Sequence, residues 1–94
     1  MTVQQFLGLE KGEAVVVHYA DPATKQEHKT LGAFLKRRCR DRPPYIAFVA
    51  VGRMVINVNK AHLELASEAL SSADYQKAKE IVEGDLKKYH RKAL

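Results

Sequence analysis

The side chains of this sequence that could do chemistry are four histidines, one cysteine and two runs of basic residues. His18 and His28 lie on either side of an Asp-Pro turn signal. Beside Arg38 or Arg53, either could serve as an acid/base while the guanidinium stabilises an anionic substrate. The histidines, His18, His28, His62 and His90, show none of the close spacings of zinc sites, and Cys39 alone cannot supply a thiolate set. No metal and no cofactor are expected. The five glycines do not fall at the spacings of a phosphate-binding loop, a dinucleotide fingerprint or a nucleophile elbow. Cys39 stands among Arg37, Arg38 and Arg40, and the commoner fate of a free cysteine is burial as a small apolar residue.

The basic residues are unevenly placed. Residues Lys36 to Arg42 hold five cations against Asp41, and Lys87 to Lys92 hold four with no acid, so the rest of the chain is net negative although the whole carries +5. Two local patches on a mildly acidic body point to an acidic partner, nucleic acid or protein, with Lys36, Arg37, Arg40, Lys87, Lys88 and Arg91 as the residues that would touch it. A competing account is that both runs are solvated helix ends, where Lys and Arg complement the negative end of the helix dipole. Aromatic residues make up only 7% of the chain, with no tryptophan, which argues against a platform for stacking single-stranded bases.

These residues must be positioned by one small core. A chain of 94 residues with 46% apolar and 29% charged residues has ordinary globular proportions and room for a single domain, residues 1–94. The longest apolar run, Tyr45 to Val51, is too short to span a bilayer, and the lone cysteine excludes an internal disulfide. A cytoplasmic protein with no membrane contact is expected.

Along the chain, Thr2 can cap a short helix closed by Gly8, and the β-branched run Val15 to Val17 predicts a strand ending at Asp21-Pro22. Thr30 followed by Leu31, Phe34, Leu35 and Cys39 at helical spacing predicts a second helix, ended by Pro43-Pro44. That helix would put Lys29, Lys36, Arg37 and Arg40 on one solvent-facing side, with Arg38 in line with the apolar stripe. Tyr45 to Val51 and Met54 to Asn59 predict a hairpin with a type II′ turn at Gly52-Arg53, which sets Val51 against Met54, Val49 against Ile56 and Ala47 against Val58. Residues 60–70 fit helix and strand alike, and their composition favours helix. From Ser72 onward, Tyr75, Ala78, Val82, Leu86, Tyr89 and Ala93 form the stripe of a long amphipathic helix.

The expected fold is α+β: a three-stranded mixed sheet in β-α-β-hairpin order, its first two strands parallel through a right-handed crossover, packed by helices and followed by a long C-terminal amphipathic helix. The expected function is a small basic binding or regulatory module rather than an enzyme. Two alternatives stand beside it: a small hydrolase or nuclease-like enzyme using a His/Arg set, and a homo-oligomeric structural or inhibitor protein using the mixed face of the hairpin.

Overall fold

The computed structural model describes residues 1–93, with side chains placed as far as Lys87. Helix α1 (Val3–Leu7) is followed by strands β1 (Ala14–Ala20), β2 (Glu27–Arg37), β3 (Ile46–Val51) and β4 (Met54–Asn59), and by a single 3-10 turn at Lys60–His62. Strand β5 (Leu63–Leu65), the one-turn helix α2 (Ala66–Ala69) and the long helix α3 (Ser72–Ala93) complete the order. The strands form one sheet in the order β4-β3-β2-β1-β5, and every neighbouring pair is antiparallel.

The fold remains α+β with a C-terminal helix, but the expected three-stranded mixed sheet is overturned. Two segments account for the difference. Residues 27–37, expected as helix from Thr30 onward, are the long central strand β2, paired with β1 on one side and β3 on the other. No crossover helix exists between β1 and β2. The chain reverses through Asp21–Gln26, where the Asp21 carboxylate accepts from the Ala23 N–H at 2.8 Å and Lys25 takes a positive φ of 58°. The helical spacing of Leu31, Phe34 and Leu35 misled because β2 is covered on both faces. Phe34 lies in the inner cluster while Ala33 lies in the outer one, and Leu31 and Leu35 pack against that outer cluster. A strand buried on both faces carries apolar residues at consecutive positions, so its period of two is erased.

Residues 60–70 resolve into pieces of both alternatives. Asn59 caps as expected, its side-chain oxygen accepting from Ala61 N–H at 2.9 Å, but the turn it starts is a single 3-10 turn. Leu63 and Leu65 then alternate as a strand that pairs with β1 through Val17 and Val15.

That short connection dictates the shape of the sheet. Strands β4 and β5 sit at opposite edges, which in a flat five-stranded sheet would lie about 19 Å apart. The four peptide steps from Asn59 to Leu63 reach at most about 14 Å. The sheet must therefore curl until its edges approach, as a half-open barrel. Gly32 sits on the inner side of β2, where an added Cβ would run into Val49 Cγ1 and lie 3.1 Å from the Ala50 carbonyl oxygen. Its missing side chain lets β2 bend against β3.

Phe6, Val15, Val17, Phe34, Val49, Val58 and Leu63 fill the inside of the curl. Helix α1 closes one mouth. Its start is fixed by a capping box between Thr2 and Gln5, and its Phe6, fully buried, meets Tyr45 edge-on at 5.8 Å. The hairpin β3–β4 has the expected register, Val51 opposite Met54 through Ala47 opposite Val58. Gly52 takes φ +59° while Arg53 does not, as a type II′ turn requires. Helix α3 lies across the outer face, with Ala78 and Val82 buried and Tyr75 partly so. Tyr89 and Ala93, the last expected members of its stripe, lie outside the described side chains.

Candidate anion-binding cleft

Of the six residues singled out by charge, Lys36, Arg37 and Arg40 line one cleft at the end of β2, although not by the route expected. The expected common helical surface does not exist. A bulge between Phe34 and Lys36 interrupts the pairing of β2 with β3, after which Lys36 stands opposite Phe48 and Arg37 opposite Ala47. Successive residues of a strand leave opposite faces, so Lys36 points outward and Arg37 toward the side closed by α1. Lys36 Nζ lies 5.3 Å from the centre of the Phe48 ring, a cation–π contact that covers the ring.

Arg37 is committed to the backbone. Its Nη1 donates to the carbonyl oxygens of Leu7 at 3.1 Å and Leu9 at 3.4 Å, and its Nε donates to the Arg40 carbonyl at 2.9 Å. Leu7 and Leu9 lie at the end of α1, where carbonyls lack partners within the helix. The guanidinium thus ties α1, the start of the β2–β3 loop and the end of β2 together. The sequence predicted Arg37 to lie free on a helix surface, and here it is a half-buried cross-link.

A second tether brings in a residue that the charge clusters did not single out. Gly12 N–H donates to the Phe34 carbonyl at 2.8 Å, and Phe34 N–H donates to the Glu13 carbonyl at 2.9 Å. This pins the turn before β1 alongside β2 two residues before Lys36, and so carries Lys11 into the neighbourhood. Gly12 has φ +91°, a conformation glycine adopts at little cost. Lys11, Lys36, Arg37 and Arg40 now line one cleft of about 320 Å³ whose floor includes Leu9 and Phe34. Lys11, Lys36 and Arg40 are exposed, as are Arg38 and Arg42 on the adjoining loop. Among the described residues no Lys or Arg lies within 4.0 Å of a carboxylate oxygen, so no carboxylate neutralises these cations at contact distance. Cys39 is partly buried within that loop.

The second basic run begins at the same end of the molecule. A Cβ added to Gly12 would meet Leu86 Cδ2 at 3.2 Å, so α3 passes beside the turn that carries Lys11. Lys87 follows Leu86 and is exposed. The expected contacts at Lys88 and Arg91 lie outside the described side chains.

The histidines do not assemble. His18 and His28 occupy adjacent cross-strand rows, Lys29 facing His18 and Tyr19 facing His28, and therefore leave opposite faces of the sheet. His28 stacks on Tyr19 at 5.4 Å. His18 turns to the other face, where its Nε2, shielded from water, approaches Glu64 Oε1 at 2.5 Å without the alignment of a hydrogen bond. A second cavity, about 370 Å³, opens between the end of β1 and β4, with Val17, Ile56 and Val58 among its walls and His62 beside them. Among the described residues no group of three or more His, Cys, Asp or Glu side chains is placed to hold a metal ion, and no helix is long and apolar enough to cross a membrane.

What the fold and cleft define is a small curled antiparallel sheet with helices on its outer face and, at one end, a cleft with Lys11, Lys36, Arg37 and Arg40 in its lining. No known protein family, curated protein or solved structure matches the chain.

Proposed function

We propose that this chain is a binding module for an acidic macromolecule, engaged by the cleft at the end of β2 and the loop beside it. The observation that carries this reading is the convergence of Lys11, Lys36, Arg37 and Arg40 on one cleft, with no carboxylate partner at contact distance among the described residues. Like charges held close repel one another and lower the stability of the unbound protein, and a polyanion relieves that repulsion on binding. Arg37 supplies field and holds the cleft in shape, Lys36 adds field from its place over Phe48, and Lys11 and Arg40 have ends free for contact.

The test is retention on immobilised heparin, followed by elution with salt. The wild-type chain is expected to elute well above physiological ionic strength, and a Lys11→Gln/Lys36→Gln/Arg40→Gln variant near it. Elution of both at the same salt concentration would sink the reading.

A second reading, self-association, has its own observation. Strand β4 is an edge of the sheet, and Met54 is 64% exposed with Val55 beside it at 41%. Exposed apolar residues on an unpaired edge invite pairing with another chain. Sedimentation velocity across a range of concentrations, with Met54→Lys as the interrupting variant, measures it.

A further inference from the structure

We infer that the acidic partner is double-stranded DNA, held by its phosphate backbone between the cleft and the Arg38–Arg42 loop. This rests on the cleft being a polyanion site and goes beyond it by choosing among polyanions. Three observations make the choice.

The first separates nucleic acid from acidic protein. Protein interfaces gain most of their affinity from a few apolar or aromatic anchors buried at the centre, with charge at the rim. Among the described residues the large hydrophobic side chains that are exposed are Val3, Tyr19, Met54, Val55 and Ile81, and none of them lines the cleft. The apolar floor is closed: Leu9 and Phe34 are 5% and 3% exposed. A protein partner would find charge here and nothing to anchor in. A phosphate backbone needs only charge.

The second separates duplex from single strand. Single strands are held by stacking bases on exposed aromatic rings set between the cations. Among the described residues, Phe34 is 3% exposed in the cleft floor, Phe48 is covered by Lys36, and Tyr45 is partly buried against Phe6. Tyr19 is exposed, but it sits at the far end of β1 from the Lys11 turn and is stacked with His28. Among the described residues the cations therefore have no exposed ring between them on which a base could stack.

The third separates DNA from RNA. Double-stranded RNA is recognised mostly by its shape and by contacts to 2′-hydroxyls as well as phosphates across a wide minor groove. The cleft and the adjoining loop have no Ser, Thr, Asn or Gln in their lining.

Arg38, Arg40 and Arg42 alternate along the loop and are all exposed, and guanidinium groups pair with phosphate oxygens in bidentate fashion. With Lys11 they make four candidate phosphate contacts, while Lys36 stays over the Phe48 ring and adds to the field. Lys87 joins from α3 only if the duplex extends past the Lys11 turn.

The experiment is fluorescence anisotropy of the full chain with four labelled probes: a mixed-sequence DNA duplex, an RNA duplex and a DNA single strand of equal length, and a poly-glutamate peptide. Each is titrated at several salt concentrations. Expected is salt-sensitive binding to the DNA duplex, similar for two unrelated sequences and at least about tenfold tighter than to the other probes. The log-log salt slope should lie near −0.9 for each phosphate neutralised, so about −3 to −4 if all four cations engage. Arg38→Gln/Arg42→Gln, both exposed and outside the core, should make the slope shallower by about 2. Arg53→Gln, at the hairpin tip beyond the other end of β3, should leave it unchanged.

A preference for single strand, RNA duplex or poly-glutamate overturns the assignment to duplex DNA and leaves the polyanion reading standing. A slope unmoved by Arg38→Gln/Arg42→Gln overturns the loop's part in it. Absence of salt-sensitive binding to every probe overturns the inference and the proposed function together.

Discussion

The inner face of the curled sheet is filled by Phe6, Phe34, Leu63 and several valines, whereas the buried strand residues on the outer face are Ala14, Ala33, Ala50 and Val16, with Leu31 and Leu35 only partly buried beside them. The same strands supply both faces. Neighbours in β2 divide between them, Phe34 inward and Ala33 outward. Inside, the sheet bends back on itself and leaves a space that only large side chains fill. Outside, a helix approaches the strands, and small residues let its backbone come near. Side-chain size is thus assigned by the partner across the interface, sheet against sheet or helix against sheet, and packing to crystal-like density requires both.

If this division of size is what holds the fold, truncation inside and enlargement outside should both destabilise it. Phe34→Ala removes a ring that is 3% exposed and leaves a cavity among strands that cannot easily collapse. A loss of about 3 to 5 kcal/mol is expected in chemical denaturation. A midpoint close to wild type would show that the inner cluster is not the main core. Ala50→Leu, on the outer face, should cost about 1 to 3 kcal/mol by forcing α3 away from the sheet. Wild-type or higher stability for that variant would mean that the helix lies less tightly on the sheet than the alanines imply.

The smallest effect separates two arginines three residues apart. Arg37→Gln removes three hydrogen bonds to backbone carbonyls and should lower stability by about 1 to 2 kcal/mol. Arg40→Gln, exposed and bonded only through its backbone, should stay within about 0.5 kcal/mol of wild type. Thermal unfolding of the pair measures the difference, and equal midpoints would return Arg37 to the surface role that the charge cluster suggested.

Legibility from the sequence differed sharply between segments. The hairpin β3–β4 was readable because its turn chemistry is local: glycine supplies the positive φ of a type II′ turn, and pairing outward from Gly52-Arg53 fixes every cross-strand neighbour. Helix α1 was readable for the same reason, since Thr2 and Gly8 mark its ends. Strand β2 was not, because its apolar residues face two different partners and their positions imitate a helix. The Gly32 in its middle was a signal against helix, since glycine costs about 1 kcal/mol there relative to alanine.

The candidate cleft was legible in part. Charge density alone pointed to Lys36, Arg37 and Arg40, and they do line one cleft. Lys11 was missed because it stands singly between Glu10 and Gly12, and only the hydrogen bonds that join its turn to Phe34 carry it beside Lys36.

The sequence by itself determined the elements whose geometry is set within a few residues: capped helix ends, the two-residue turn, and the long amphipathic α3. It also set the amount and placement of positive charge along the chain. Tertiary structure alone decided that residues 27–37 are strand, that the sheet curls to bring β4 toward β5, and that Arg37 is a cross-link while Arg40 is free. The physical reason is the range of the forces involved. Caps and turns are satisfied by neighbours in the chain. Burial on two faces, the three-residue link from β4 to β5 and a guanidinium shared by carbonyls some thirty residues away are satisfied only once distant segments have met.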